Sequence, residues 1–399
     1  MAVNPEILAW ARDTAGLTVD QAAHALAFQD TRDRSAVQRL MALEAGDEQP
    51  SRSVLLRMSK AYRRALLVFY LAQPPRIGDR GEDFRTVPGG TPPEYSPLLD
   101  ALIRDIRGRQ TAVRGLMEET DPQPVDFVGT ATMNVSVGNL ANRIKERLQF
   151  SLDEFRRQAD VQRAFGYLRE KIEATGVYVL LLGNLGSHHT NISVDAFRGF
   201  AIADPLAPFI VINDQDAQAA WSFTMLHEIV HLWLGTTGIS GTSTEAGIEK
   251  YCNDVAGEIL LPTAEIRGSA DLRRATLDDL MEVISRLASS RNISRAMVAY
   301  KLLRTDAITD RMWRQVADRL REEWLEIRRR QEQEERTGTA GGPSYYVVKR
   351  HRLGNALLDI IRRSLSEGII TPTKAAQVLG VKARNVDPLI HGTLTEGGR

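Results

Sequence analysis

The chain has 399 residues, 51 Lys and Arg against 51 Asp and Glu, and an apolar fraction of 43%. That length can bury two or three domain cores, the composition is that of a soluble globular protein, and zero net charge excludes whole-molecule attraction to nucleic acid. One cysteine excludes an intrachain disulfide framework. Apolar runs such as VYVLLL from Val177 are too short to cross a bilayer, and MAVNPEIL lacks the charge and apolar pattern of a secretion signal, so a cytoplasmic location without membrane contact is expected.

Within an N-terminal domain over 1–80, residues 1 to about 73 read as five short helices. Pro5 pre-sets a first turn, Ile7, Leu8 and Ala11 make an apolar face, and Thr18 is an N-cap after the Gly16 break. A helix over about Arg34–Ala45 takes the place of a recognition helix, with Arg34, Ser35, Gln38 and Arg39 as its candidate DNA contacts. The segment holds eleven Lys and Arg against nine Asp and Glu, a weaker basic excess than DNA-binding surfaces usually carry. Docking of a partner protein is therefore the competing expectation. Gly46–Pro50 and Gln73–Gly81 are turn-rich linkers.

Residues 81–135 form a connecting helix and linker. Leu98, Leu99, Ile103 and Ile106 stripe a helix over 96–120, and Asp121–Met133 is an irregular connector. A second amphipathic stretch runs over 136–175. Three short apolar runs, Val177–Leu182, Phe197–Ala203 and Pro208–Asn213, predict a small sheet. An edge strand of such a sheet can hold an extended peptide by β-augmentation.

The run LHEIVHL at Leu226–Leu232 carries the chemistry. Trp221, Met225, Ile229 and Leu232 fall at helical spacing, and Gly235 stops the helix. His227 and His231 then project from one face and can bind one zinc ion, with Glu228 beside the bound water as its base. Coordination lowers the pKa of that water to about 7, which makes hydroxide available at neutral pH.

A catalytic zinc normally takes three protein ligands. A helix closing at Pro262 supplies the third: Glu249 is a carboxylate on a largely buried helix and needs a partner or a metal. Asn253, one turn later, would orient a ligand histidine. Glu245 is the competing ligand, although a first-turn acid also serves the helix dipole. Cys252 reads as a buried structural thiol. Tyr251 points away from the metal face, and no residue is assigned to oxyanion stabilisation.

After Pro262 the chain is helical again over Leu277–Ala288 and Met297–Leu303, then in one long amphipathic helix marked by Trp313, Val316, Leu320, Trp324 and Ile327. Residues 337–343 (TGTAGGP) read as a flexible linker. Residues 344–399 form a last helical module with nine Lys and Arg against four Asp and Glu. Dimerisation or partner docking is expected there, with a nucleic-acid contact as the alternative.

FTMLHEIVHLWL followed by IEKYCNDVAGEILLP resembles the ImmA/IrrE-type zinc metallopeptidases, as does the run-up from Phe197. The N-terminal segments NPEILAWARDTAGLTVDQAAHAL and LEAGDEQPSRSVLLRMSKAYRRALLVFYLAQPP resemble an XRE-type (lambda/Cro-like) helix-turn-helix domain fused ahead of such a peptidase. The connection before Arg34–Ala45 is longer than a tight helix-turn-helix needs. The resemblance implies an α+β, mostly helical fold, with a metallopeptidase domain over 136–336. It implies one Zn2+, preferred over Mn2+, on His227, His231 and Glu249, with Glu228 as general acid and base. It also implies a regulatory endopeptidase whose protein substrate is a transcriptional repressor or an adjacent-gene toxin or regulator. Double-stranded DNA and a second copy of the chain are further candidate partners. The alternative is a non-catalytic transcriptional regulator or antitoxin with a metal-stabilised domain.

Overall fold

A computed structural model describes residues 3–75, 97–119, 123–236, 243–266, 272–337 and 344–391. The expected α+β, mostly helical architecture is what the chain has: one three-stranded sheet and eighteen α-helices among the described residues.

The N-terminal bundle comprises α1 (Pro5–Asp13), α2 (Val19–Ala25), α3 (Ala36–Ala45) and α4 (Arg52–Ala61), then a 3-10 segment at Leu66–Tyr70. The Thr18 and Ser35 hydroxyls each accept a hydrogen bond from the backbone three residues on, and their own backbone N–H groups donate to the Gln21 and Gln38 side chains, so α2 and α3 both start with a capping box. Leu8, Leu26, Leu40, Met58 and Phe69 close a core of the bundle's own.

Helix α5 (Pro97–Glu118) follows the bundle, and the 136–175 stretch divides into three helices. These are α6 (Val137–Leu148), α7 (Leu152–Arg157) and α8 (Val161–Glu173). Gln149 adopts the left-handed conformation (φ 49°), and Ser151 and Asp160 cap the next two starts. Apolar periodicity crosses both breaks without marking them.

The strands are β1 (Tyr178–Leu181), β2 (Gly199–Ile202) and β3 (Phe209–Ile212), in the order β1-β3-β2. β1 runs parallel to β3, and β2 antiparallel. Side chains alternate between two interiors. Val179, Leu181, Ala201, Ile210 and Ile212 face a core shared with α6, α8, α9 (Gln218–Leu234) and α10 (Ser243–Leu260). Tyr178, Leu180, Phe200, Phe209 and Val211 face a second core. Burial on both faces is why the strands read as unbroken apolar runs.

The second core belongs to α5 and the C-terminal helices α15 (Tyr345–Leu353), α16 (Asn355–Ser366), α17 (Pro372–Leu379) and α18 (Val386–His391). This differs from the expectation of a module beyond a linker: residues 345–391 are a layer of the central body, because Leu353, Leu357 and Ile361 pack beneath the sheet. Residues 338–343 of the expected linker lie outside the described residues. Between α10 and this layer run α11 (Thr263–Ile266), α12 (Leu277–Ser289), α13 (Arg295–Arg304) and α14 (Asp310–Thr337).

A buried ion pair fastens the layer. Arg169 Nε donates to Glu173 Oε1 at 3.1 Å, and the guanidinium also donates to the carbonyls of Val179 and His351. Glu173 Oε2 accepts the first amides of α16, Asn355 at 3.0 Å and Ala356 at 3.3 Å. Gly354 has φ 76°, and a Cβ there would meet Glu173 Oε1 at 2.1 Å, so only glycine fits. Glu173→Ala leaves the Arg169 charge buried and unpaired, and is expected to lower stability by about 3–5 kcal/mol; urea unfolding of the two proteins measures the difference.

Candidate metal centre

Helix α9 is apolar on nearly every side, and Trp221, Met225, Leu226, Ile229, Val230 and Leu232 bury it between the sheet and α10. Its C-terminal carbonyls are satisfied from the connector before α6: Gly129 N donates to Leu232 O and Ala131 N to Trp233 O. Gly235 closes the helix in the left-handed conformation. On α10, Glu258 pairs with Lys301 and Asp254 with Arg304, which ties that helix to α13. The site is therefore carried by two helices fixed on their outer sides.

Between them three side chains converge. His227 Nε2 lies 3.1 Å from His231 Nε2 and 3.1 Å from Glu249 Oε2, and His231 Nε2 lies 3.3 Å from Glu249 Oε1. Each outer ring nitrogen has its own partner. His227 Nδ1 is 2.9 Å from Asn253 Oδ1, and His231 Nδ1 is 3.1 Å from Thr236 Oγ1. The Thr236 hydroxyl donates to the His231 carbonyl, so its oxygen accepts from Nδ1–H. With protons on both Nδ1 atoms, two nitrogen lone pairs and a carboxylate face one another.

Such a set repels itself unless positive charge sits within it. Burial opposes the His227 imidazolium, but the Glu249 hydrogen bond and the Glu228 carboxylate outweigh it and raise that pKa. Burial likewise pushes the Glu249 carboxyl up, and its bonds to both imidazoles more than reverse this, bringing it far below the usual carboxylate range. A divalent cation would serve the same purpose. With zinc–nitrogen distances of about 2.0–2.1 Å, the donors of a tetrahedral site stand about 3.3 Å apart. The spacings here are 3.1 to 3.3 Å, so the donor set fits zinc.

Cys252 lies one turn past Glu249, fully buried, with its sulfur within 4.8 Å of the ligand-type nitrogens of both histidines. Burial, with Glu249 and Glu228 nearby, drives its thiol well above the ordinary value. It stands as a neutral wall behind the closer carboxylate. The Glu245 side chain is outside the described residues. The Tyr251 hydroxyl donates to Val135 O at 2.7 Å, away from the imidazoles.

Glu228 is 5% exposed. Burial raises its carboxyl above the usual range, against the pull of His227 and His231. It lies against β2: a Cβ built on Gly199 would come within 2.9 Å of Glu228 Oε1 and 2.6 Å of Thr224 Cγ2. Sequence reasoning did not single out Thr236 or Gly199. Thr236 had a local signal, a hydroxyl just past the stop of the helix that holds His231. Gly199 had none, because its partner is 29 positions away.

The four candidate DNA contacts lie elsewhere and are engaged within the N-terminal bundle. Arg34 pairs with Glu48, Ser35 and Gln38 form the capping box of α3, and Arg39 stacks on Phe28 with its guanidinium 5.0 Å from the ring centroid. Ten residues join α2 to α3, where a helix-turn-helix has a turn of about three or four.

Asn253→Ala removes the acceptor that fixes the His227 ring and is expected to weaken zinc affinity roughly 10–100-fold. Competition with a chromophoric chelator measures this, and an unchanged affinity would show that the amide does not orient a ligand.

No curated protein and no solved structure matches the chain. Residues 184–303, from the turn after β1 through α13, are similar to the IrrE N-terminal-like domain of the Peptidase_M78 family, and this segment carries all three converging donors and Glu228.

Proposed function

We propose that the protein is a zinc-dependent endopeptidase that cleaves a regulatory protein. The observation that carries this is the meeting of His227, His231 and Glu249 with the buried Glu228 against a strand at the edge of the sheet. The peptidase-family similarity of residues 184–303 agrees with it.

His227, His231 and Glu249 would hold the metal. Zinc bound there supplies a water of near-neutral pKa and polarises a carbonyl. Glu228 supplies the proton traffic: its carboxylate takes a proton from the attacking water and passes it to the leaving amine. Its raised pKa suits the task, since a buried carboxylate is a stronger base than a solvated one. Asn253 and Thr236 keep both ligand rings in one tautomer.

The expected edge strand is assigned to β2. Among the described strands it pairs only with β3, and it passes directly over Glu228 at Gly199. A peptide added along β2 would present its backbone beside that carboxylate. β1 is also an edge strand, but it lies on the far side of β3.

The N-terminal bundle is assigned the location of the substrate, a repressor or the product of a neighbouring gene. For it to read double-stranded DNA, Arg34, Ser35, Gln38 and Arg39 would have to exchange their present partners for base edges and phosphates.

Glu228→Gln should retain zinc while cleavage of the neighbouring-gene product falls on the order of 10²–10⁴-fold. Metal analysis beside a gel-based cleavage assay with and without chelator tests this, and undiminished cleavage by the variant would end the endopeptidase reading. Gly199→Ala forces Glu228 and Thr224 aside without touching the three donors. It should lower kcat at unchanged zinc content, which steady-state kinetics and metal analysis together would show.

A further inference from the structure

A cavity of about 830 Å³ opens where four parts of the chain meet: the end of the N-terminal bundle, α5, the turn after β1, and the C-terminal helices α15 and α17. Among the described residues that line it, seven are Arg or Lys and one, Asp105, is acidic. None of its wall residues belongs to the zinc cluster. A chain of zero net charge has gathered its cations here from positions as far apart as Arg63 and Lys374.

The cations are held together against their mutual repulsion. Arg109 is 9% exposed; it pairs with Asp105 at 2.7 Å through Nη2, while its Nε and Nη1 have no hydrogen-bond partner. Gly380, in the left-handed conformation, makes room for it, since a Cβ there would strike the guanidinium at 2.2 Å. Lys349 is pulled below its ordinary pKa by burial and by Arg109 and Arg352. Arg63, also lowered by burial, sits at φ 51°, a conformation seldom adopted by a residue with a side chain. Arg352 is paired with Asp214 at 2.7 Å. With Arg109 set against Asp105 and Arg352 against Asp214, Arg63, Lys349 and Lys374 still leave positive charge in excess.

We propose that this cavity binds a small molecule of nucleotide size that carries two or more phosphate groups. The volume falls in the range of about 300–1,000 Å³ typical of small-molecule sites. Guanidinium forks match phosphate oxygens in pairs, and buried donors lacking partners gain most from an anion. Leu102, Leu182 and Val378 give the uncharged part of the ligand an apolar wall. The cations line a concave recess between four chain segments, which suits a compact ligand better than a duplex, whose phosphates run along an extended surface. The site stands independently of the peptidase reading.

The test is calorimetric titration of the full chain with inorganic triphosphate, ATP and a double-stranded DNA oligonucleotide, at low and high salt. ATP and triphosphate are expected to bind, to weaken with salt, and to raise the melting temperature by stabilising the folded state. Lys374→Ala, an exposed change that leaves the fold alone, and Lys349→Ala should each weaken binding by about tenfold or more. Zinc content should not change. Absence of heat and of any melting shift with both phosphate probes at millimolar concentration would overturn the assignment. So would unchanged affinity in both variants, or DNA that competes with triphosphate and depends on the same lysines.

Discussion

Two imidazole lone pairs and a carboxylate within 3.3 Å of one another are an unfavourable thing to place inside a protein. Along α9 Glu228 alone eases this, by favouring the His227 imidazolium, because the rest of that helix is almost wholly apolar and buried. The surrounding structure bears the strain of assembly. The sheet backs α9 on one side, α10 closes it on the other, and α13 holds α10 through two ion pairs. Asn253 and Thr236 then fix the ring orientations, so the three donors have one arrangement open to them. A positive charge at the centre turns that arrangement from a cost into a gain.

The same interior sets the character of Glu228. Two positions of α9 that are neighbours in sequence differ in surroundings: His227 faces the donors, and Glu228 faces the backbone of β2 across the gap that Gly199 leaves. A side chain at 199 would fill that gap. The absence of a Cβ is thus a requirement imposed by the carboxylate, and it joins the sheet's edge to the chemistry.

Much of this was legible because the signals are local. Four-residue spacing placed His227 and His231 on one face, and the buried character of α10 singled out Glu249, which lies with them. The three strands were visible as apolar runs for the same reason that they sit between two cores. What escaped depends on distant contacts. The unbroken apolar periodicity over 136–175 gave no sign of the left-handed Gln149, and no pattern in 344–391 announced that Leu353, Leu357 and Ile361 pack under the sheet. Gathering of basic residues around one cavity was equally hidden, since they come from segments far apart in the chain, of which 344–399 alone has a marked basic excess. The candidate DNA contacts show the reverse case: Ser35 and Gln38 fit a recognition helix by position, yet a Ser three residues before a Gln is also a capping box, and that is how they are used.

The docking of the last helices has a consequence for how the molecule comes into being. Residues 345–391 cover one face of a sheet whose strands lie between 178 and 212. During synthesis, which proceeds from the N-terminus, that face has, among the described residues ahead of α15, α5 as its one helical cover until residues 345–391 have left the ribosome. The nascent protein therefore carries an uncovered apolar surface through more than a hundred further residues of translation. Truncation near the C-terminus would make that transient exposure permanent.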